Sequence, residues 1–209
     1  MPTISRDIAG RLLERLDMIR IQPQVILVLG VEVDYVAQRL HQRYPQAEQS
    51  ALLHAKALAP LEKHSADLIF SNLAFYTNSE IETAFLDFSR LLKPGGLLLF
   101  TTFGPDTLKE LNLNDSMFVD MHNIGDMLLH GQFLDPVMDM ELITVNYVSP
   151  SLLQEDIHAL GLSFDKKEDV PSATIELIYG HAWGAVEKNT AGLNEQGEVV
   201  ILVDAIRRP

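Results

Sequence analysis

The chain contains no cysteine. This absence excludes disulfide bonds, thiolate metal sites and cysteine nucleophiles, although it says little about the compartment in which the protein works. The seven histidines show neither the HExxH spacing nor another spacing typical of metal ligands, so we expect no metal site. Ser65 and Ser71 lack the glycine-flanked context of a hydrolase nucleophile. The residue pattern therefore assigns no catalytic side chain.

Positive charge is scarce. The chain has 16 lysines and arginines against 29 aspartates and glutamates, a formal net charge of -13. Nucleic acids and anionic membranes repel a surface with such an excess of carboxylates, so we expect neither as a partner. An acidic protein partner gains nothing from this bulk charge either.

Long hydrophobic runs are also missing. No apolar run reaches the length of about 18 residues that indicates a membrane-spanning helix. Residues 1–16 carry charges throughout and lack the apolar core of a signal peptide. We therefore expect a cytoplasmic protein.

The composition of the chain is typical of a folded domain. Its 209 residues are 47% hydrophobic, which is enough to bury a sizeable core. No internal repeat, low-complexity tract or linker divides the chain. We expect a single domain over residues 1–209.

The first third of the chain alternates between helix and strand patterns. Val25 to Leu29 form a short run of branched residues that reads as a strand buried on both faces, as in parallel sheets. Residues 33–40 follow with a helical apolar face that ends near Tyr44 and Pro45. An amphipathic helix precedes the strand, with its apolar residues at spacings of mostly three and four: Ile4, Ile8, Leu12, Leu13, Leu16 and Ile19.

The alternation continues through residue 103. Ala66 to Asn72 read as a second buried strand, a helix follows whose apolar face includes Ile81 and Leu92, and Lys93 to Gly96 form a proline-glycine turn. Leu97 to Phe103 are a further buried strand. This order predicts an α/β fold with a doubly wound, mostly parallel sheet and right-handed crossovers.

The pattern changes beyond residue 105. Residues 123–133 and 149–161 predict helices, and residues 140–147 predict a strand. Two last strand-like runs, residues 173–180 and 198–204, flank a polar, glycine-containing stretch that suits a hairpin loop. We expect these C-terminal strands to be antiparallel.

Four segments of the chain carry a family resemblance. They are "SADLIFSNLAF", "LLKPGGLLLFTTFGPDTLKEL", "FVDMHNIGDMLLHGQFLDPVMDMELITVNY" and "IELIYGHAWG". They closely resemble the biotin-synthesis methyltransferases known as BioC, which methylate the free carboxyl of a malonyl group on acyl carrier protein. The same motifs are similar to a related mitochondrial assembly-factor branch that uses the fold for another reaction, so the resemblance alone does not fix the chemistry.

The resemblance implies a Rossmann-like domain that uses S-adenosylmethionine (SAM). By position, the cofactor-binding residues are Gly30, His54, Ala55, Asn72 and Leu73. The substrate-side residues are Phe103 and His122. Acyl carrier protein is the partner that the family implies.

The first loop departs from the family pattern. The family reads approximately "LDLGCGTG" where this chain has "LVLGVEVD", so only Gly30 is kept and Glu32 and Asp34 replace two glycines. A Cβ blocks close approach to a ligand, and a carboxylate here repels the carboxyl group of SAM's methionine moiety. The alternative is that Glu32 and Asp34 cap the following helix, where the dipole favours anions.

The second strand unit is shortened. The family has a second strand that ends in a ribose-binding acidic residue, followed by a helix, but here only about twenty residues lead from the first helix to the strand at Ala66. One short strand, "SALL", fits in this space. His54 and Lys56 stand where the family has acidic residues near the adenine. A further shortening lies between Phe164 and Pro171.

These departures lead to two hypotheses. The first is a SAM-dependent methyltransferase whose SAM binding is impaired to the millimolar range or weaker, so that SAM does not bind at physiological concentrations. The second is a non-catalytic pseudo-methyltransferase that acts as a binding or assembly partner. We also expect self-association or a protein partner, because loss of a covering helix should expose apolar sheet surface.

Overall fold

The computed structural model describes residues 3–52, 57–111, 117–162 and 171–185, together with the backbone of residues 192–193 and 199–200. The helices are α1 (Ile4–Arg15), α2 (Val33–Arg43), α3 (Asn78–Leu91), α4 (Met121–His130) and α5 (Pro150–Ala159). The strands are β1 (Val25–Gly30), β2 (Glu48–Leu52), β3 (Ala66–Asn72), β4 (Leu92–Phe103), β5 (Leu134–Asn146), β6 (Ser172–Trp183), β7 (Gly192–Leu193) and β8 (Val199–Val200).

Six strands form one mixed sheet in the order β2-β1-β3-β4-β6-β5. The pairs among β2, β1, β3 and β4 are parallel, and β6 runs antiparallel to both β4 and β5. The predicted α/β sheet, mostly parallel with antiparallel C-terminal strands, is therefore confirmed.

The two faces of the sheet carry separate hydrophobic cores. Along β1, Ile26 and Val28 pack on one face with residues of α1, α2 and α5, while Leu27 and Leu29 pack on the other with residues of α3 and α4. Successive side chains of a strand point to opposite faces, so a run that is apolar at every position needs helices on both sides. The doubly wound arrangement follows from this pattern.

The second strand unit is short, as predicted. β2 is one five-residue strand that pairs directly with β1, from Val25 with Glu48 to Leu29 with Leu52. No α-helix lies between β2 and β3 in the portions that the structure describes, residues 57–65. The carboxyl end of β1 is thus flanked by β2 on one side and β3 on the other.

We expected the loss of a covering helix to expose apolar sheet surface, and for β1 and β3 this prediction is wrong. Residues 26–29 of β1 and 68–70 of β3 are at most 3% exposed. Exposed apolar side chains lie instead on the edge strand β5, at Val137, Met140 and Leu142.

Two local predictions need correction. The proline-glycine turn at Lys93 to Gly96 lies inside β4: Leu92 already pairs with Ala66, and the register shifts before the pairing of Leu68 with Leu97. Hydrogen bonds with Gly184 hold this irregular segment against the end of β6. The predicted hairpin between residues 173–180 and 198–204 is also wrong in its described part, because β8 pairs with β7 and β6 pairs with β4 and β5.

A search for membrane-crossing segments among the described helices found none with the necessary length and apolar character.

Candidate cofactor site

The carboxyl end of β1 passes very close to the end of β3. Gly30 has a φ of 97°, a left-handed value that favours glycine. A Cβ built on Gly30 would lie 2.0 Å from the carbonyl oxygen of Asn72, which is a forbidden approach. Glycine is therefore required here by the packing of the two strands against each other.

Asn72 fixes the loop that follows Gly30. Its side-chain amide donates a hydrogen bond to the Val31 carbonyl at 2.9 Å, and its side-chain oxygen accepts one from the Thr101 hydroxyl at 2.9 Å. The backbone carbonyl of Asn72 accepts a further bond from the Val31 N–H at 2.8 Å. Asn72 is fully buried. Its side chain thus holds the loop to the sheet from inside.

Glu32 occupies the position before α2 with a φ of 59°. Glu32 is the N-cap residue and Asp34 lies in the first turn, as the alternative predicts, but the Glu32 carboxylate makes no capping hydrogen bond with the helix. The carboxylate instead accepts hydrogen bonds from the Ser5 hydroxyl at 2.9 Å and from the Arg6 guanidinium at 3.1 Å. Asp34, in the first turn of α2, is exposed. The two acidic residues of the loop therefore have different surroundings.

A cavity of about 610 Å³ opens at the carboxyl ends of β1, β2 and β3. This volume lies in the range of about 300–1,000 Å³ that is typical of small-molecule sites, and its position matches the edge where parallel α/β sheets bind ligands. Its lining residues are Leu29, Gly30, Leu52, Leu58, Leu73, Ala74, Phe75, Tyr76, Ser79, Glu80, Thr83, Ala84, Asp87 and Gly161.

The cavity wall is apolar on the strand side and acidic on the helix side. Glu80 and Asp87 lie along the same face of α3, and no lysine, arginine or histidine is among the described lining residues. Burial, with the charge of nearby Glu80, raises the pKa of Tyr76, so the phenol stays neutral. A ligand in this cavity meets carboxylates, which favour a cationic group or hydrogen-bond donors.

The segment after β2 is attached to α3. The Arg90 guanidinium donates hydrogen bonds to the Leu58 carbonyl at 2.9 Å and to the Leu61 carbonyl at 2.7 Å, and it pairs with Asp87 at 3.1 Å. Leu58 is fully buried and lines the cavity. Arg90 therefore positions the wall of the cavity that faces α3.

The structure brings together two of the five predicted cofactor residues, Gly30 and Leu73, at the cavity wall. Asn72 lies directly behind the wall and is not part of the lining. His54 and Ala55 lie outside the described residues.

The two predicted substrate-side residues do not line this cavity. Phe103 is fully buried and packs against Tyr76 and Phe118, with ring centroids 6.2 Å and 5.7 Å away. Since Tyr76 lines the cavity, Phe103 supports the wall from behind. His122 is exposed in the first turn of α4, with its ring nitrogen 3.7 Å from the carboxylate of Asp120.

The polar face of α3 was missed by the sequence reasoning, which used only the apolar face of this helix. Ser79, Thr83 and Asp87 recur at intervals of four residues, and they therefore share one side of the helix. That spacing indicates a polar face, which an amphipathic helix usually turns to solvent. It does not reveal that the face lines a cavity, because a cavity depends on how segments distant in the chain pack beside the helix.

Comparison with known proteins shows the same fold and a close set of relatives. A family model described as a methyltransferase domain matches residues 10–100. The malonyl-[acyl-carrier protein] O-methyltransferase 1 of Coxiella burnetii is 36% identical, with 98% of this chain and 89% of the relative covered. The malonyl-[acyl-carrier protein] O-methyltransferase of Halorhodospira halophila is 31% identical, again with 98% of this chain and 89% of the relative covered.

The alignment with the Coxiella burnetii protein also contains gaps, since it runs over 252 positions, more than the 209 residues of this chain. Segments of the relative are therefore absent here, in agreement with the short second unit.

Solved structures agree in fold at low sequence identity. A SAM-dependent methyltransferase from Archaeoglobus fulgidus superimposes with a TM-score of 0.53 at 10% identity, covering 85% of this chain and 94% of that one. Phosphoethanolamine N-methyltransferase 2 of Haemonchus contortus, solved in complex with S-adenosyl-L-methionine, has a TM-score of 0.54 at 15% identity. The superposition covers 86% of this chain and 52% of that one.

Proposed function

Because this chain belongs to the malonyl-[acyl-carrier protein] O-methyltransferase family, we propose that it binds SAM in the cavity beside Gly30, but only weakly, and methylates the carboxyl of a malonyl group on acyl carrier protein. The observation that carries this proposal is the cavity itself. It keeps a volume of about 610 Å³ at the carboxyl edge of β1 although the second strand unit is short.

The chemistry of the cavity wall fits SAM. The cofactor supplies a methyl group on a positively charged sulfonium. Glu80 and Asp87 are the charged residues of the described wall, and both are anionic. Leu52 and Leu58 offer an apolar surface for a flat base. Asp87 is already paired with Arg90 at 3.1 Å, so the attraction of this wall for the cation rests mainly on Glu80.

Two features support weak binding. Glu32 and Asp34 stand where the family has glycines, and β2 ends in Leu52, with no carboxylate to bind ribose among its last described residues. Each lost charged hydrogen bond costs about 1.5–3 kcal/mol, and a factor of ten in affinity corresponds to about 1.4 kcal/mol. Two or three losses lower a micromolar affinity to the millimolar range.

For the acceptor, the malonyl carboxylate, the protein contributes mainly by positioning it against the methyl group of SAM. In-line methyl transfer to a carboxylate needs the two groups held in the correct geometry and little acid-base help. We assign no catalytic residue. Phe103, which fixes Tyr76 at the cavity wall, and His122, exposed on α4, stay candidates for the substrate side.

A methyl-transfer assay tests this function. The purified chain, malonyl-acyl carrier protein and millimolar SAM should give the methyl ester, detected by mass spectrometry of the carrier protein. Thr83→Trp, which places a bulky ring on the cavity wall, should abolish the product. Leu86→Trp is the matched control, since Leu86 lies on the same helix, is 62% exposed and does not line the cavity. No ester at any SAM concentration would refute the proposal.

A non-catalytic role is the second candidate, and the loop favours it. A carboxylate at position 32, held by residues of α1, replaces a glycine that would let a ligand approach the backbone. In this case the protein acts by binding a partner. The two candidates differ in one result: the non-catalytic protein shows no SAM binding even at millimolar concentrations.

Self-association stays a prediction, and the edge strand β5 supports it better than the shortened unit does. Val137, Met140 and Leu142 are each 44–51% exposed on this strand. Apolar side chains on an unpaired edge favour pairing with another chain. Light scattering at increasing protein concentration tests this. A protein that stays monomeric at high concentration, and with which no partner co-purifies from its native extract, would contradict it.

A further inference from the structure

The carboxylate of Glu32 is surrounded by hydrogen-bond donors from the start of α1. One oxygen accepts bonds from the hydroxyls of Ser5 at 2.9 Å and Thr3 at 3.3 Å. The other accepts two bonds from the Arg6 guanidinium, at 3.1 Å and 3.2 Å. The Glu32 side chain is only 18% exposed. A side chain on the loop is thus bound as a ligand would be.

The donors are held in place by their own contacts. Ser5 is fully buried, and its hydroxyl also lies 2.9 Å from that of Thr3. The Arg6 guanidinium lies over the ring of Tyr35, 5.1 Å from its centroid. A guanidinium and two hydroxyls that converge on one point recognise a carboxylate by charge-assisted hydrogen bonds.

The carboxylate that this donor set holds belongs to a residue beside the cavity. Glu32 follows Gly30 by two residues, and Gly30 lines the cavity. The intervening Val31 is fixed by two hydrogen bonds with Asn72. Glu32 has a left-handed backbone conformation, and its carboxylate contacts Ser5 and Arg6 of α1. Thr3, Ser5 and Arg6 are not among the described lining residues, so a ligand meets these donors only where it extends from the cavity past Gly30 along the loop.

We infer that Thr3, Ser5 and Arg6 form a recognition site for the carboxylate of an amino-acid-type ligand, and that Glu32 fills this site in the free protein. This inference rests on the proposed function, because SAM carries such a carboxylate. The ligand carboxylate exchanges with that of Glu32. Only molecules in which Glu32 has left the site bind the whole ligand, so the apparent affinity falls by their fraction of the population.

Binding of two kinds of ligand, with and without the carboxylate, tests the exchange. SAM and its demethylated product, S-adenosylhomocysteine, both carry the carboxylate, whereas 5′-methylthioadenosine carries the nucleoside without it. In calorimetric or NMR titrations, Glu32→Ala should raise the affinity for SAM and for S-adenosylhomocysteine by about tenfold or more. Its affinity for 5′-methylthioadenosine should stay within about twofold of the parent protein.

Three further variants separate the roles of charge and space. Glu32→Gln keeps the size and the hydrogen-bond acceptor and loses the charge, so it should give a smaller gain than Glu32→Ala. Arg6→Gln combined with Glu32→Ala should remove most of the gain. Glu14→Ala is the matched control, since Glu14 is exposed on α1, does not line the cavity, and its loss changes the net charge equally. It should leave the affinity for SAM unchanged.

The possible results separate this inference from the proposed function. If 5′-methylthioadenosine binds and Glu32→Ala does not raise the affinity for SAM, the exchange is refuted while the cavity stands as a nucleoside site. An equal gain for both ligands also refutes it, since the effect then does not depend on the carboxylate. If neither ligand binds the parent protein or any variant, the inference and the proposed function both fail. Thermal unfolding shows whether each variant is folded. If Glu32→Ala is not folded, Glu32→Gln takes its place in the titrations.

Discussion

Val31 and Asn72 exchange two hydrogen bonds across the carboxyl ends of β1 and β3. The Val31 N–H donates to the Asn72 backbone carbonyl at 2.8 Å, and the Asn72 side-chain amide donates to the Val31 carbonyl at 2.9 Å. Both backbone groups of the residue after Gly30 are therefore satisfied by one partner. This pairing keeps the loop in its bent path although the glycines that usually shape such a loop are absent.

We predict that Asn72→Asp destabilises the fold by about 2–3 kcal/mol, because a buried carboxylate replaces the donor that faces the Val31 carbonyl. Urea unfolding at neutral pH measures this change. Asn78→Asp makes the same chemical change at the exposed first residue of α3, where the helix dipole favours an acid, and should be neutral or slightly stabilising. Equal stability of Asn72→Asp and the parent protein would contradict this account of the loop.

Gly30 and Gly125 offer a matched pair of substitutions. Gly30→Ala should cost about 3 kcal/mol or more, since its Cβ would meet the Asn72 carbonyl at 2.0 Å in a left-handed backbone conformation. Gly125→Ala lies in α4 with nothing within 4 Å of the new Cβ, and it should stabilise the protein by up to about 1 kcal/mol. Thermal unfolding of both variants checks this. A Gly30→Ala protein as stable as Gly125→Ala would show that the two strands do not pack as described.

Asp67 gives the fold a predictable pH dependence. Burial acts to raise the pKa of Asp67, but the hydrogen bond from Lys93 and those from the N–H groups of Val25 and Gln24 outweigh it and hold the pKa below its ordinary value. A lowered pKa stabilises the folded state above the ordinary value of about 4, and this stabilisation is lost as the pH falls through the folded-state pKa.

We therefore predict that Asp67→Asn lowers the free energy of unfolding by about 1–2 kcal/mol at pH 7, and that the difference from the parent protein shrinks below about pH 4. Urea unfolding at a series of pH values measures it. Glu62→Gln, at an exposed carboxylate near the same strand, is the control and should change little at any pH. A difference that stays constant down to pH 2 would exclude the charge of Asp67 as its source.

The strands beside the cavity follow from local sequence patterns. Runs of buried, branched residues predict β1 and β3 with nearly the observed bounds, because each must be apolar on both faces to pack between two layers of helices. The shortened second unit is predictable from its length alone. The pairing of β8 with β7 is not, since strand propensity does not specify a partner.

The site itself is only partly predictable. Gly30 follows from the loop pattern, but the partners of Glu32 lie 26 to 29 positions earlier in the chain, and no local pattern links them. The positions of Glu80 and Asp87 on a cavity wall depend on segments distant in the chain, such as Leu29, Gly30 and Leu52, that form the other walls. The partners of Glu32 and the wall of the cavity depend on where side chains point and on how segments distant in the chain pack together.

Titration of the purified chain with SAM, followed by NMR or calorimetry, tests the central claim that the cavity beside Gly30 binds the cofactor weakly. We predict saturable binding with a dissociation constant of about 1 mM, lost in Thr83→Trp and kept in Leu86→Trp. A micromolar dissociation constant would contradict the account, because the altered loop would then hold SAM as well as a glycine loop does. Binding that Thr83→Trp leaves unchanged, or no binding at several millimolar SAM, would contradict it as well.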